Sequence, residues 1–446
     1  MRQQRTIQSS LFDLFAGHEI GRELKAMSMW LDEHPAVLAP VAEDLRRDGV
    51  KETGRRGLPA ESVLRCALLK QHRQLSYEEL AFHLEDSASF RAFARLPLSW
   101  TPKKSVLHKT ISAIRAETWE AINRAVLGSA RQEKIEPGDV IRLDSTVTDA
   151  LIHEPSDSSL LWDAVRVMAR MMKAAGTLAG GADIAWRDRR RAAKRRAYAI
   201  QFTRGRPRRV QQYRELIEIT RSMLACVDVA ASRLGLVASP TAELWRAALA
   251  HHRPLIERII SQSERRVLRG EVVPAAEKIV SLFEPHADII VKGGRDTQYG
   301  HKLNLVAGKS GLILDLVIET GNPADSERFL PMLERHIAFY GRAPRQAAAD
   351  GGYANGHNLQ QAKARGVRDM AFHKKAGLNV EDMVRSRWVY RKLRNFRAGI
   401  EAGISCLKRA YGLARCTWRG LAHFKAYVWS CVVAYNLALF TRLRPA

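Results

Sequence analysis

The spacing of apolar residues changes at Pro137, and this change constrains the fold more than any other feature of the chain. Over residues 10–134 apolar side chains recur at intervals of three and four, which is typical of amphipathic helices. Beyond Pro137 a short apolar run, residues 140–143, ends at Asp144 and predicts a strand with an acid at its end. The chain therefore combines a helical N-terminal region with a sheet that begins near residue 140.

Two candidate helices in the N-terminal region, residues 61–72 and 77–84, are separated by a short turn, and Ser76 is a suitable N-cap for the second. This pattern fits a helix-turn-helix, which binds DNA. It fits any small helical bundle equally well, because helix-turn-helix geometry has a weak sequence signal. The sequence leaves both interpretations open.

The C-terminal half alternates between helical and strand-like patterns. Helical spacing returns over residues 160–283 and gives way to three apolar runs, the last two joined by a hairpin turn. A helix follows, for which Asn322 or Asp325 is a suitable N-cap. The predicted elements are strands at 289–291, 303–307 and 312–319, a helix at 325–340, a strand at 346–349, a helix at 359–364, a strand at 367–372 and a helix at 395–411.

With the helical block set aside, the order is a group of strands followed by helix, strand, helix, strand and helix, which matches an α/β ribonuclease H-like fold. The block would separate the first strand from the rest of its sheet along the chain. We therefore predict a helical N-terminal DNA-binding domain at 1–134, a ribonuclease H-like catalytic domain at 135–150 and 286–446, and a helical basic insertion at 151–285.

The balance of charge indicates a polyanionic partner. Lys and Arg number 72 against 47 Asp and Glu, which gives a formal net charge of +25 and a pI of about 10.2. Nucleic acid is the leading candidate. No membrane is expected, because there is no lipidation signal and the most apolar segment, residues 427–440, predicts a buried helix of about 14 residues, too short for a span.

We expect a cytoplasmic, nucleoid-associated protein. The first fifteen residues lack the continuous apolar stretch of a secretory signal. The five cysteines are scattered and have no metal-ligand spacing, so reduced thiols are the simplest interpretation.

Positive charge is densest between Trp186 and Arg209, where eleven cations stand against one anion, Asp188. Cations at this density repel one another unless phosphates neutralise them. Three aromatic residues, Trp186, Tyr198 and Phe202, lie among the cations, where they could stack on bases. The alternative is a solvated helix face that binds nothing. We predict nucleic-acid contact without recognition of base sequence. The predicted contacts are Arg189, Arg190, Arg191, Arg195, Arg196, Arg206, Arg208 and Arg209.

Two acids follow predicted strands, and acids in this position are suited to binding metal ions. Asp144 follows residues 140–143, and Asp350 follows residues 346–349, with small residues around it that leave space for ions. Phosphodiester chemistry benefits from two divalent ions held by oxygen ligands. A single acid at a strand end is more often a turn or cap residue, so the prediction depends on the pair and on the fold order together.

A third acid, Glu401, lies on the helix predicted at 395–411. The apolar stripe of that helix should pack on the sheet, and Arg397, Glu401 and Lys408 form a second stripe beside it. Glu401 would then border the sheet between two cations. The plainer interpretation is an ordinary ion pair between Arg397 and Glu401, four residues apart.

Glu381 and Asp382 compete for the place of the third acid, because they are nearer to Asp350 in the sequence. They lie in a predicted loop rich in glycine and basic residues. A metal ligand must be held within about 0.5 Å of its productive position, which a helix does better than a loop. Asp144, Asp350 and Glu401 are therefore the predicted catalytic residues and metal ligands.

These motifs resemble those of DDE-type transposases of bacterial insertion sequences, in the broad grouping around families four and five and their unclassified relatives. The likeness covers most of the chain, and its fairly specific part is the spacing of an Arg, three residues, a Glu, six residues and a Lys. The matching residues are Leu143 to Thr146, Tyr299 to Lys302, Ala349 to Tyr353, and Arg397 with Glu401 and Lys408.

The resemblance implies a transposase that uses two Mg²⁺ or Mn²⁺ ions, cleaves the terminal inverted repeats of its element and joins the 3′ hydroxyl to target DNA. It implies a homo-oligomer assembled on that DNA. Arg397 and Lys408 are predicted DNA contacts. His301 and Lys302 either orient DNA phosphates near the metal ions or form a solvated strand end.

The chain departs from the group's pattern in two places. Arg394 stands where the signature often has a Tyr, so no role of that Tyr carries over. The gap between Asp144 and Asp350 is far longer than that between Asp350 and Glu401, which the helical insertion explains. Two alternative functions fit the same motifs, namely a domesticated, catalytically inactive DNA-binding protein and a nuclease that cuts without joining. The presence of all three acids favours an enzyme.

Overall fold

The computed structural model describes residues 18–46, 57–97, 99–178, 184–235, 237, 239–292, 296–373 and 377–444. The chain divides into two compact units, a larger one of Met1–Ala150 with His301–Ala446 and a smaller one of Leu151–Gly300. The division into three domains made from the sequence stays a prediction.

Helices make up the described part of the N-terminal region. They are α1 Glu19–Glu33, α2 Leu38–Arg46, α3 Ala60–His72, α4 Tyr77–Asp86, α5 Ala88–Phe93, α6 Lys104–Ile111 and α7 Ala116–Gln132. The predicted N-cap of α4 is confirmed, because the Ser76 hydroxyl accepts the Glu79 N–H (3.1 Å) and the Glu79 carboxylate accepts the Ser76 N–H (2.7 Å). The helical pattern predicted over residues 10–17 lies outside the described residues.

The pair α3 and α4 favours the helical-bundle interpretation over a helix-turn-helix. Every residue of α3 is buried. The exposed positions of α4 include Glu78, Glu79, Glu85 and Asp86, and DNA phosphates would repel such a face. Neither helix therefore offers a basic face for the major groove.

The sheet of the larger unit confirms the predicted α/β class. Its strands are β1 Val140–Asp149, β3 Asp296–Gly308, β4 Ile313–Ile318, β5 Gln346–Ala349 and β6 Asp369–Phe372, while β2 Asp288–Lys292 pairs with residues 296–300 of β3 in the smaller unit. The order in the larger unit is β4-β3-β1-β5-β6, in which β1, β5 and β6 run parallel and β3 and β4 form an antiparallel hairpin. This is the strand order of a ribonuclease H-like fold, with a meander followed by parallel strands.

Helices of the C-terminal half cover this sheet. They are α12 Asp325–Tyr340, α13 Gly356–Ala364, α14 Val380–Met383, α15 Arg387–Ala410 and α16 Leu421–Leu443. The predicted caps of α12 are wrong, because its N-cap is Ala324 and Asp325 lies in the first turn, paired with Lys302. α15 packs on β1, β5 and β6. A Cβ at Gly399 would overlap the guanidinium of Arg142, which donates to the Phe396 carbonyl (2.9 Å) in α15.

The C-terminal helix α16 is buried as predicted, but the predicted length is wrong. It extends beyond residues 427–440 in both directions, because exposed polar residues such as His423 and Lys425 continue the helix at its solvent side. Among the described residues it is the one helix long and apolar enough to cross a membrane, yet 83% of its apolar window is buried inside the protein. The Asn436 amide also bonds the Asn123 side chain (2.7 Å), which is typical of a core helix.

In the described part of the smaller unit, four long helices confirm the helical pattern from residue 160 onwards, but the predicted end at residue 283 is wrong, because the last of them ends at Ser263. They are α8 Asp157–Thr177, α9 Arg190–Phe202, α10 Arg206–Leu234 and α11 Pro240–Ser263. α8 contacts each of the other three, and the apolar core lies between them. Ser156 caps α8 by accepting the Ser159 N–H (3.1 Å).

Candidate active site

Asp144 and Asp350 lie side by side because of the strand register. β1 and β5 are parallel and pair through Leu143 and Ala349, so that each aspartate comes one residue after the last pair. Asp144 nevertheless lies inside β1, and the prediction that it ends the strand is wrong. The β-branched residues after it favour extended backbone, and β1 continues in the sheet to Asp149, whose N–H donates to the Ala414 carbonyl (3.0 Å) in the loop after α15.

One guanidinium contacts all three predicted acids. Arg397 Nη2 donates to Asp144 Oδ2 (2.9 Å) and lies 3.5 Å from Asp350 Oδ1, while its Nη1 donates to Glu401 Oε1 (2.7 Å). Arg397 and Asp144 are buried, at 8% and 7% exposure, whereas the Glu401 side chain is 62% exposed. The structure thus brings Asp144, Asp350 and Glu401 together around Arg397.

The ordinary helical ion pair between Arg397 and Glu401 is present, and it is also part of the cluster of three acids around Arg397. Its four-residue spacing places both side chains on one face of α15. Among the described residues no three Asp, Glu, His or Cys side chains lie close enough together to hold a metal ion as they stand. The guanidinium lies between the carboxylates and balances part of their charge.

Sequence reasoning missed a fourth acid beside the site, Asp325. Lys302 Nζ lies 2.7 Å from Asp325 Oδ1, and the Ser145 hydroxyl donates to Asp325 Oδ2 (3.4 Å). A Cβ on Gly352 would come within 2.9 Å of that same oxygen, so the bare backbone there allows the close approach. The glycine pair after Asp350 was the sequence signal for a close approach at this point. Asp325 itself gave no signal, because an acid in the first turn of a helix is common.

Tyr353 belongs to a motif matched in the sequence, but no role in the site was predicted for it. Its ring is fully buried, and its hydroxyl donates to Asn304 Oδ1 (2.6 Å). Burial raises the pKa of Tyr353 well above its usual value, and the negative charges of Asp325 and Asp144 raise it further. The phenol therefore stays protonated and acts as a hydrogen-bond donor in the floor of the site.

His301 and Lys302 do not form a solvated strand end, and that interpretation is wrong. His301 is 2% exposed, with its ring packed edge-on against Phe424 at 4.8 Å, and Lys302 is 8% exposed. The Lys302 ammonium donates to the Pro323 carbonyl (2.7 Å) besides pairing with Asp325. Their contact with DNA stays a prediction.

The competing acids lie elsewhere. Glu381 and Asp382 are on the short helix α14 and not in a loop, so that part of the prediction is wrong. Glu381 pairs with Arg387 (3.6 Å), and Asp382 accepts from the Asn379 amide (3.2 Å). This helix has only four residues, too few for its period to stand out in the sequence.

The basic segment forms α9 and the start of α10 in the smaller unit. Its cations divide into two groups. Arg190 pairs with Asp188 (2.6 Å) and Arg196 with Glu215 (2.5 Å), whereas Arg191 and Arg195 are exposed. The predicted contacts Arg206, Arg208 and Arg209 are exposed and Arg189 is half-buried.

A cavity of about 640 Å³ lies beside this segment. Its lining residues are Trp162, Arg166, Arg170, Asp188, Arg190, Arg191, Lys194 and Phe283. The Arg166 guanidinium stacks over the Trp162 ring, 4.5 Å from its centroid. Of the predicted aromatic residues, Tyr198 and Phe202 are exposed and Trp186 packs on the core.

Two family models match the chain. Residues 286–437 match the transposase DDE domain, and residues 16–117 match a transposase domain, DUF772. The first match includes Asp350 and Glu401 and begins after Asp144. No match was found among curated proteins or among solved structures.

The fold and both matches define a DNA transposase with a catalytic domain of the DDE class. The chain belongs to the DDE-type transposases of insertion sequences. Its narrower grouping, near families four and five, stays a prediction. Transposases of this class generally use divalent metal ions.

Proposed function

We propose that the chain cleaves the ends of its insertion sequence and joins the 3′ hydroxyl to target DNA by two-metal-ion phosphoryl transfer. The observation that carries this proposal is the convergence of Asp144, Asp350 and Glu401 on the guanidinium of Arg397. Three carboxylates gathered from two strands and one helix offer hard oxygen ligands only, which suit Mg²⁺ or Mn²⁺.

Asp144, Asp350 and Glu401 would hold the ions. When bound, two such ions activate the attacking oxygen and stabilise the leaving oxygen of the phosphodiester. Arg397 holds the acids together by charge in the described state. Once released from them, its planar guanidinium suits a phosphate oxygen pair, and Glu401 has the solvent-exposed side chain that can rotate most freely.

The partner in this proposal is DNA, both the terminal inverted repeats and the target. The exposed cations Arg191, Lys194 and Arg195 would contact backbone phosphates, and the 640 Å³ cavity combines positive charge with aromatic rings that suit a nucleotide. Assembly as a homo-oligomer on the two ends of the element, and association with the nucleoid, belong to the same proposal.

The test is strand cleavage of a DNA fragment that carries the element's end. Asp144→Asn, Asp350→Asn and Glu401→Gln should each retain end binding and lose most cleavage, because each amide withdraws a charged oxygen from an ion. Two changes together should be little worse than one, since the acids act as a unit. Chelation of divalent ions should stop cleavage and spare binding.

Glu381→Gln and Asp382→Asn are the matched controls and should cut like the wild type. An active Glu401→Gln beside an inactive Glu381→Gln would show that the third ligand lies on α14. Full cutting in excess chelator would exclude the two-metal mechanism. A wild type that cuts but never joins would be a nuclease, and one that binds without cutting would be an inactive DNA-binding protein.

A further inference from the structure

The first half of α15 carries positive charge that the proposed function does not use. Arg387, Arg391 and Arg394 recur at spacings of four and three, so they form one stripe along the helix, the arginine row. All three residues are exposed. Arg394 lies on the same face of α15 as Arg397 and Glu401, which follow it in the next two turns. The arginine row therefore continues that face towards the start of the helix.

The protein itself neutralises little of the charge on the arginine row. Arg387 lies 3.6 Å from Glu381, and both side chains are largely in solvent. Among the described residues, no carboxylate lies at ion-pair distance from Arg391 or Arg394. Like charges at such helical spacings destabilise each other, and a ligand with several negative groups in a row would offset this repulsion. A nucleic-acid backbone is a ligand of this kind.

Trp388 is an exposed aromatic residue beside the arginine row. Its side chain is 64% exposed, and the Lys392 ammonium lies over the ring, 5.2 Å from its centroid. Its exposed neighbours at three and four residues, Arg385, Arg391 and Lys392, are all cations. Charged residues are depleted at the centres of protein interfaces, and a bilayer needs a wider apolar face. The surroundings of Trp388 therefore favour a planar ligand that carries negative charge.

The backbone that carries Trp388 and the arginine row is fixed to the sheet. Val389 and Leu393 are buried on the opposite face of α15. The Tyr390 hydroxyl donates to the Phe372 carbonyl (2.8 Å) at the end of β6. Binding at this surface would thus need no ordering of the backbone, which lowers its entropic cost.

We propose that the first half of α15 binds an unpaired stretch of a DNA strand, with phosphates on the arginine row and a base on Trp388. Neighbouring bases cover both faces of each base in a duplex, so only an unpaired base presents a face to an indole ring. This inference rests on the proposed function, because cleavage leaves a strand end that can unpair beside the acids. Trp388 lies about 20 Å from Glu401 along the helix axis, at about 1.5 Å per residue. That length corresponds to about six nucleotides of one strand, at about 3.4 Å each.

The first experiment compares the affinity of the full chain for oligothymidine, which does not pair with itself, and for a duplex of the same length, both without divalent ions. Trp388→Leu should weaken single-strand binding about tenfold, the order expected for the loss of one stacked base. Its duplex affinity should change less than about twofold. Trp388→Phe should keep most of the single-strand affinity, because a phenyl ring still stacks.

Phe82→Leu is the matched control for the aromatic substitution. Phe82 is exposed to a similar degree, at 61%, but it lies on α4, whose exposed face is acidic. This variant should bind both DNAs like the wild type. An unchanged single-strand affinity in Trp388→Leu, or an equal loss on the single strand and the duplex, would overturn the proposal.

The second experiment titrates single-strand affinity against salt. Arg391→Gln with Arg394→Gln should flatten the log-affinity against log-salt slope by about 1.4, at about 0.7 for each phosphate on a single strand. The control, Arg124→Gln with Arg342→Gln, removes two exposed cations that already pair with acids, at 2.8 Å and 2.7 Å. Its slope should change much less. Equal changes in the two double variants would mean that the arginine row acts only through net charge, against the proposal.

Phosphatidylserine vesicles test the other anionic partner, a membrane surface. Vesicle binding that depends on Trp388, without a matching loss on the single strand, would make this surface a membrane contact and overturn the proposal. All of these readouts measure binding. If the wild type cuts no DNA but its single-strand affinity depends on Trp388, the two-metal proposal fails and this one stands. If it cuts while Trp388→Leu binds the single strand like the wild type, only this one fails.

Discussion

At the scale of single residues, the positive charge of Arg397 offsets the repulsion between the three acids. Asp144 is buried, and Asp350 follows the strand beside it, so their negative charges would repel each other without a cation nearby. The guanidinium touches both aspartates and Glu401. A metal ion at the acids would replace it as the balancing charge. Arg397 is therefore a positioning residue in the described state.

This role predicts a specific defect in Arg397→Gln. The variant removes the guanidinium that pairs with buried Asp144 and should lose about 3 kcal/mol of unfolding free energy, as expected when one partner of a buried pair is removed. Mg²⁺ should restore much of that loss, because it supplies the missing positive charge, and should raise the unfolding free energy of the wild type less. Chemical denaturation with and without Mg²⁺ measures both effects.

Arg335→Gln is the matched control for Arg397→Gln. Arg335 pairs with Asp315 (2.6 Å) and Glu120 (3.1 Å), away from the three acids. Its variant should also be destabilised, but Mg²⁺ should not restore it. Equal recovery of the two variants by Mg²⁺ would mean that the acids around Arg397 have no special affinity for the ion.

At the scale of secondary-structure elements, the sequence predicts most of the fold but only part of the site. The hairpin, α12, β5 and β6 follow directly from apolar spacing, because each has one periodic apolar face. The end of β1 beyond Asp144 does not, because Asp149 pairs there with the loop after α15, far along the chain. Asp325 was missed for the same reason, since only the folded chain brings it to Lys302 and Gly352.

The exposed charges of the N-terminal helices predict that α6, and not α4, contacts DNA. α6 and its N-cap carry Lys103, Lys104, His108 and Lys109 at exposed positions, whereas the exposed face of α4 is acidic. Replacing the three lysines by Ser should weaken binding to duplex DNA and flatten the salt slope by about 0.9 for each phosphate that the variant no longer neutralises.

Glu85→Gln with Asp86→Asn on α4 is the control for the α6 variant, and it should bind DNA as well as the wild type or better. A gel-shift titration over a range of salt concentrations distinguishes the two. If the α4 variant loses affinity and the α6 variant does not, α4 is the helix that contacts DNA, and the helix-turn-helix interpretation would be restored.

At the scale of the whole molecule, the basic segment and the three candidate catalytic acids lie in different compact units. The three acids belong to the larger unit, whereas the basic segment belongs to the smaller one. The net charge of +25 attracts DNA at long range, but only exposed cations that reach phosphates release counterions. Binding and cleavage should therefore respond to different substitutions.

Two double variants on the same helix test this separation, each removing two positive charges. Arg191→Gln with Arg195→Gln removes exposed cations and should flatten the salt slope for duplex DNA by about 1.8, at about 0.9 for each phosphate. Arg190→Gln with Arg196→Gln removes cations that already pair with Asp188 and Glu215, so its slope should change much less. Asp144→Asn should leave the slope unchanged while it stops cleavage. Equal changes in the two double variants would mean that the segment acts only through net charge, and an unchanged slope in both would make it a solvated face that binds no phosphate.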